Sequence, residues 1–172
     1  AACIGRAIRI NPAQPLFYRN LGLALRRAGQ SAAAIVAYCK ALDLEPGHAG
    51  TLFELGRALA LDNCPEEAIA CYRHALAIDS TLSAARGCLV EVLLAEGRAE
   101  EALACLDAAP GPAPAEACWL RFRGDALQLL GRWEEARDAY LAALDRCLGD
   151  LAITCQLDNV LHLAGRLAEA ED

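Results

Sequence analysis

Asn20-Leu21-Gly22-Leu23-Ala24-Leu25, running on through Gly29 to Ala34, Tyr38, Ala41 and Pro46, is the stretch that decides how this chain folds. A Leu-Gly pair is followed by a second glycine, and then by Ala, Tyr and Ala at helical spacing. The register returns 34 residues on as Leu55-Gly56, Leu59, Ala68, Tyr72 and Ala75. It returns again as Gly124, Leu127, Gly131, Ala136, Tyr140 and Ala143, with a weaker copy between them: Leu89, Val90, Leu93, Gly97, Ala102, Leu106 and Ala109. With Pro15 as place 1, the units are 15–48, 49–82, 83–116 and 117–150, with no insertion. Residues 1–14 read as the end of a preceding unit, because Ala7 and Pro12 match Ala41 and Pro46. Residues 151–172 read as the first part of a following one, with Leu157, Leu161, Gly165 and Ala170. Beginning and stopping in mid-unit, and without an initial Met, the sequence is expected to be a fragment, with any targeting elements outside it.

Elementary sterics explains the pattern. Gly22, Gly56 and Gly124 allow a first helix to lie tightly on a second, since they have no side chain in the way. The alanines keep the second helix slim, and Tyr38, Tyr72 and Tyr140 fill the space that remains. Gly29, Gly97, Gly131 and Gly165 are expected to end each first helix in the left-handed conformation, with Asn63 standing in for glycine in the second unit. Ser31 is expected to cap the helix that runs to Leu44, and Pro65 to open its counterpart. The run Pro110-Gly111-Pro112-Ala113-Pro114 forces the third unit's second helix to stop near Ala109; it reads as a loop, with a hinge as the alternative. Asp158 stands where a small residue is expected, so it is either solvated or on a helix that packs differently.

These motifs resemble the tetratricopeptide repeat (TPR), and the resemblance covers the whole chain. It implies an all-α fold: a right-handed α-solenoid of antiparallel helix pairs, a TPR superhelix, with residues 1–172 as a single array stabilised by stacking on neighbours. It also implies a concave groove lined by the first helices, which holds a peptide or protein partner. Carried onto this sequence, the groove comprises Arg19, Asn20, Leu23, Phe53, Glu54, Arg57, Glu91, Arg121, Phe122 and Asp125. Arginines with exposed aromatics among them suit a binding surface, although a solvated helix face has the same composition. Two TPR subtypes do not match. The chaperone-binding carboxylate clamp would require other residues at Arg19, Leu23, Glu54, Ala84 and Cys88, and the asparagine ladder of O-GlcNAc transferase keeps one rung, Asn20, among Glu54, Cys88, Phe122 and Gln156.

The bulk numbers narrow the function. A net charge of −7 over 172 residues argues against nucleic acid or an anionic membrane as the main partner. No apolar run is long enough to span a bilayer and no signal peptide is visible, so a cytoplasmic location is expected. Lys40 is the only lysine, which leaves 15 of the 16 basic residues as arginine. The nine cysteines contain no C-x-x-C pair and read as small apolar residues in a reducing compartment. Cys64, Cys71 and His74 lack a fourth ligand and zinc-finger spacing. His48, His74 and His162 have no matched Ser, Cys or Asp partner. The pairs Glu66-Glu67, Glu100-Glu101 and Glu134-Glu135 open second helices, where carboxylates favour the helix dipole.

The sequence therefore predicts a protein-interaction module, not an enzyme, with no cofactor and no metal. Two alternatives stay open: an accessory TPR region of a larger bacterial enzyme such as a transferase, and a scaffold that self-assembles through exposed solenoid ends.

Overall fold

A computed structural model describes residues 2–108, 117–147 and 150–171, and among these it contains ten helices and no strand. They divide into two compact units, Ala1–Val92 and Leu93–Asp172. The first contains α1 (Ala2–Ile10), α2 (Pro15–Arg27), α3 (Ser31–Leu44), α4 (Ala49–Leu61), α5 (Pro65–Ile78) and most of α6 (Ser83–Ala95). The second begins with the end of α6 and holds α7 (Ala99–Asp107), α8 (Ala117–Leu129), α9 (Trp133–Arg146) and α10 (Leu151–Glu171). Each unit is built from packed helix pairs, and the fold is that of an all-α helical solenoid.

The turns inside the pairs share one chemistry. Gly29, Gly97 and Gly131 have φ of +75°, +71° and +71°, and Asn63 takes φ +61° in the same role. In all four turns the N–H three residues past the helix reaches back five residues: Gln30 to Leu25 O at 3.0 Å, Cys64 to Leu59 O at 3.0 Å, Arg98 to Leu93 O at 2.8 Å and Arg132 to Leu127 O at 2.9 Å. This satisfies carbonyls that a helix end leaves orphaned, and it needs a residue that tolerates the left-handed region.

Gly165 departs from the expectation. α10 continues through it to Glu171 without a turn. Glycine permits the left-handed stop but does not enforce it, and the following Arg-Leu-Ala-Glu-Ala-Glu are good helix formers. Ser31 is likewise not a cap: it is the first helical residue of α3, with Gln30 before it and no side-chain cap bond. His48 does cap a helix, its Nδ1 accepting from Thr51 N–H at 3.0 Å. α7 stops at Asp107 after nine residues, against 14 in α3, α5 and α9. Ala109 and the proline-rich run Pro110–Pro114 lie outside the described residues.

Each core is a column of alanines around a tyrosine. In the first unit Ala34 and Tyr38 pack with Leu55 and Ala58; in the second Ala136, Ala139, Tyr140 and Ala143 pack with Leu127, Ile153, Leu157 and Val160. A Cβ added at Gly22, Gly56 or Gly124 would come within 2.7, 2.6 or 2.5 Å of the ring of Tyr38, Tyr72 or Tyr140 respectively, so the close approach leaves no room for a methyl group. Asp158 is exposed on α10, while Ile153, Leu157 and Val160 are buried, so the carboxylate is solvated.

Candidate functional site

The three core tyrosines point their hydroxyls toward polar residues of the first helices, and that gives each face its character. Burial raises the pKa of all three phenols, so each remains a neutral hydrogen-bond donor. Their partners differ. Tyr140 donates to Asp125 Oδ1 at 2.7 Å, with Gln128 Oε1 at 2.9 Å beside it. Tyr72 lies beside the Cys88 thiol, which adds to the upward effect of burial on its phenol. The Tyr38 hydroxyl is fully buried and has no hydrogen-bond partner. Arg26 acts on it electrostatically without a hydrogen bond in this geometry, while Glu54 adds to the upward pull of burial.

Above Tyr38, α2 and α4 share a charged cluster. Glu54 receives Arg26 Nε at 3.0 Å through one oxygen and Arg57 Nη1 at 3.4 Å through the other. The Arg57 guanidinium lies 5.6 Å from the Phe53 ring centroid, and that ring meets Tyr72 at 6.2 Å in a tilted arrangement. Phe53, Glu54 and Arg57 are thus brought together as the register predicts, half-buried on one face. Arg19 turns instead to Glu45 at the end of α3, at 2.6 Å. Asn20 is exposed, Leu23 half-buried and Glu91 exposed on α6, where its charge helps raise the Cys88 thiol behind the larger effect of burial.

In the second unit α8 carries Arg121, Phe122 and Asp125 as one group. Arg121 stacks on Phe122 at 4.7 Å and reaches Asp125 Oδ2 at 3.3 Å. Phe122 is not the exposed aromatic that the sequence suggested: it is 7% exposed, with its ring in the core and one face under the guanidinium. Burial raises the Asp125 carboxyl, an effect only partly offset by the bond from Tyr140 and the charge of Arg121.

The groove places of the repeat also fall on Arg26 and Gln128, whereas Glu45 and Arg86 were not singled out from the sequence. Arg26, Gln128 and Glu45 join the clusters described above, and Arg86 is buried on α6 with its guanidinium donating to Ser80 O at 3.0 Å. Spacing gives a signal for one of them: Asp125 and Gln128 lie three apart on a helix whose partner carries the tyrosine. Arg86 has none, because an arginine in an apolar register position reads as a solvated charge. The paired acids do open α5, α7 and α9, and Arg98 and Arg132, just before α7 and α9, clasp Glu101 and Glu135 through two bonds each.

The cysteines also depart from expectation. No disulfide joins the eight described ones, but Cys39, Cys118, Cys147 and Cys155 are exposed rather than buried filler. Cys71 is half-buried, and burial pushes its thiol up to about 11. Among the described residues no cluster of His, Cys, Asp and Glu is placed to hold a metal ion, and no helix is long and apolar enough to cross a membrane.

Comparison with known proteins gives a consistent picture. Residues 73–162 match the sequence model described as a tetratricopeptide repeat-like domain, and residues 1–49 and 20–83 match that of the tetratricopeptide repeat. No curated protein is matched by sequence. Among solved structures, a MamA double mutant is 22% identical, with 85% of this chain and 82% of that one covered at a TM-score of 0.79. YrrB, described as a TPR protein with an unusual peptide-binding site, is 20% identical over 94% and 84% of the two chains, with a TM-score of 0.80. A tetratricopeptide repeat protein from Parabacteroides merdae is 19% identical over 98% and 67%, with a TM-score of 0.82.

Proposed function

Because the chain belongs to the tetratricopeptide repeat-like family, we propose that it is a non-enzymatic protein-interaction module, in which the faces of the first helices bind a peptide or a protein partner. The observation that carries this reading is the cluster of Phe53, Glu54, Arg57 and Arg26. It offers an aromatic ring, two guanidinium groups and a carboxylate on one half-buried face, the combination in which binding energy tends to concentrate. YrrB, whose own description includes a peptide-binding site, supports the reading at the level of fold. Residues 1–172 are read as one array at a spacing of 34 residues, with Arg19, Asn20, Leu23 and Glu91 extending the α2–α4 face and Arg121, Phe122 and Asp125 supplying a second.

The test is capture of partners from a lysate by the chain, followed by calorimetric titration of a purified partner into the parent, Phe53→Ala and Arg57→Glu, all shown to be equally folded. Each variant should weaken binding by about 1–2 kcal/mol or more. Affinities equal to the parent's would remove the α2–α4 face from the reading.

A further inference from the structure

The hydroxyl of Tyr38 is fully buried and has no hydrogen-bond partner among the described residues, although buried hydroxyls are seldom left so. Burial, with the charge of Glu54 behind it, raises the pKa of the phenol, so the group keeps its proton and is a donor without an acceptor. The ring lies across Gly22 of α2: its Cζ, which carries the hydroxyl, would be 2.8 Å from a Cβ there. Arg26, one turn further along α2, acts on the same hydroxyl and bridges to Glu54 of α4 at 3.0 Å.

The fourth repeat shows what is missing. There Tyr140 holds the same register place and donates to Asp125 Oδ1 at 2.7 Å, whereas Leu23 stands in the first repeat where Asp125 stands in the fourth. The acceptor is left out and cations are added, Arg26 in the place of Gln128 and Arg57 from α4. Glu54 receives both guanidinium groups, so two positive charges meet one negative charge. The side chains of Arg26, Glu54 and Arg57 are 12%, 24% and 39% exposed. Ion pairs that water can reach are held weakly enough for one carboxylate to replace another.

We propose that the α2–α4 face takes the side-chain carboxylate of a glutamate in a peptide partner, which displaces Glu54 from Arg26 and Arg57 and accepts the hydrogen bond of the Tyr38 hydroxyl. This rests on the reading that the α2–α4 face binds peptide, and it names the group that the face selects. Glu54 is the chain's own stand-in: it shows that a glutamate carboxylate fits between the two guanidinium groups, whose planar forks match it. Glu54 makes no bond to the Tyr38 hydroxyl. The incoming carboxylate therefore gains one bond over it, to a donor otherwise unmet, and such a bond to a charged acceptor is among the stronger ones. Phe53, beside Arg57, and the half-buried Leu23 give apolar contact to neighbouring residues of the peptide. A phosphoserine fits less well, being bulkier than the carboxylate that satisfies Tyr140.

The experiment starts by panning a phage library of random short peptides, their C-termini joined to the coat protein, on the full chain. Recovered peptides are synthesised with both ends blocked, and fluorescence anisotropy gives their affinities for the parent, Tyr38→Phe, Glu54→Gln and Phe53→Ala, each checked for cooperative melting. The peptides should share a glutamate, and exchanging it for glutamine or phosphoserine should weaken binding at least about tenfold. Tyr38→Phe should bind the glutamate peptide about tenfold more weakly while its urea midpoint is no lower than the parent's, a combination that a merely structural tyrosine would not give. Glu54→Gln, which removes the competitor, should bind it more tightly. Recovered peptides that share Arg or Lys instead, equal affinity of the glutamine counterpart, tighter binding of the phosphoserine one, parent-like binding by Tyr38→Phe, or weaker binding by Glu54→Gln overturns the proposal. If in any of these cases Phe53→Ala still loses the peptide, peptide binding by the α2–α4 face stands and only the glutamate assignment falls. Recovery of no peptide, or of peptides that Phe53→Ala binds as the parent does, removes the reading and the proposal together.

Discussion

A single methyl group marks how tightly these pairs are packed. At Gly56 it would meet the Tyr72 ring at 2.6 Å, and a leucine there has nowhere to go but into the core. Gly56→Leu should therefore lower stability by about 3 kcal/mol, read as a shift in the urea midpoint, and an unchanged midpoint would contradict the packing described. The tyrosines allow a finer comparison, because they hold the same register position with different partners. Tyr38→Phe removes a buried hydroxyl without a partner and should be neutral or stabilising by up to about 1 kcal/mol. Tyr140→Phe takes the donor from the half-buried Asp125 and should cost about 1–2 kcal/mol. Equal losses in the two variants, measured by urea unfolding, would show that the hydroxyls do not differ.

Helix by helix, the turns were legible because their cause is local: a residue must take φ near +70°, and only glycine or asparagine does so cheaply. Gly165 shows the limit, since a residue that permits a turn does not require one. The faces of α2, α4 and α8 were legible only as positions. That Arg57 covers Phe53, or that Phe122 lies beneath Arg121, depends on neighbouring helices and has no counterpart in spacing. α8 also gives a pH test. Burial raises the Asp125 carboxyl above its ordinary 3.8, so the folded protein holds that proton more tightly than the unfolded chain does. Stability from this group should fall as pH rises from about 3.8 through the raised folded value, then level off. Asp125→Asn lacks this loss, so its stability relative to the parent should climb over that window in urea melts taken at successive pH values. A relative stability that is flat with pH, or that climbs toward acid, would mean the wrong sign for the shift.

At the scale of the whole chain, order should follow burial within each unit. In the first unit α4 buries Thr51, Leu52, Leu55, Gly56 and Ala58, whereas α1 leaves Ile10 exposed at its end. In the second, α9 buries Ala136, Ala139, Tyr140 and Ala143, whereas α10 leaves Leu161 and Leu163 exposed. Hydrogen exchange read by mass spectrometry should find peptides of α4 and α9 protected longest, and those of α1 and of α10 beyond Val160 exchanging first; uniform protection within a unit would contradict this gradient. The glycine–tyrosine contact has a further consequence, for descent. A lineage that exchanges the glycine alone passes through a clashing intermediate, and one that exchanges the tyrosine alone passes through a void. The third repeat of this chain has made both exchanges, with Val90 in the glycine's place and Leu106 in the tyrosine's, and both are buried. The two positions should be inherited as a pair, so that wherever a relative has lost one of them it has lost the other.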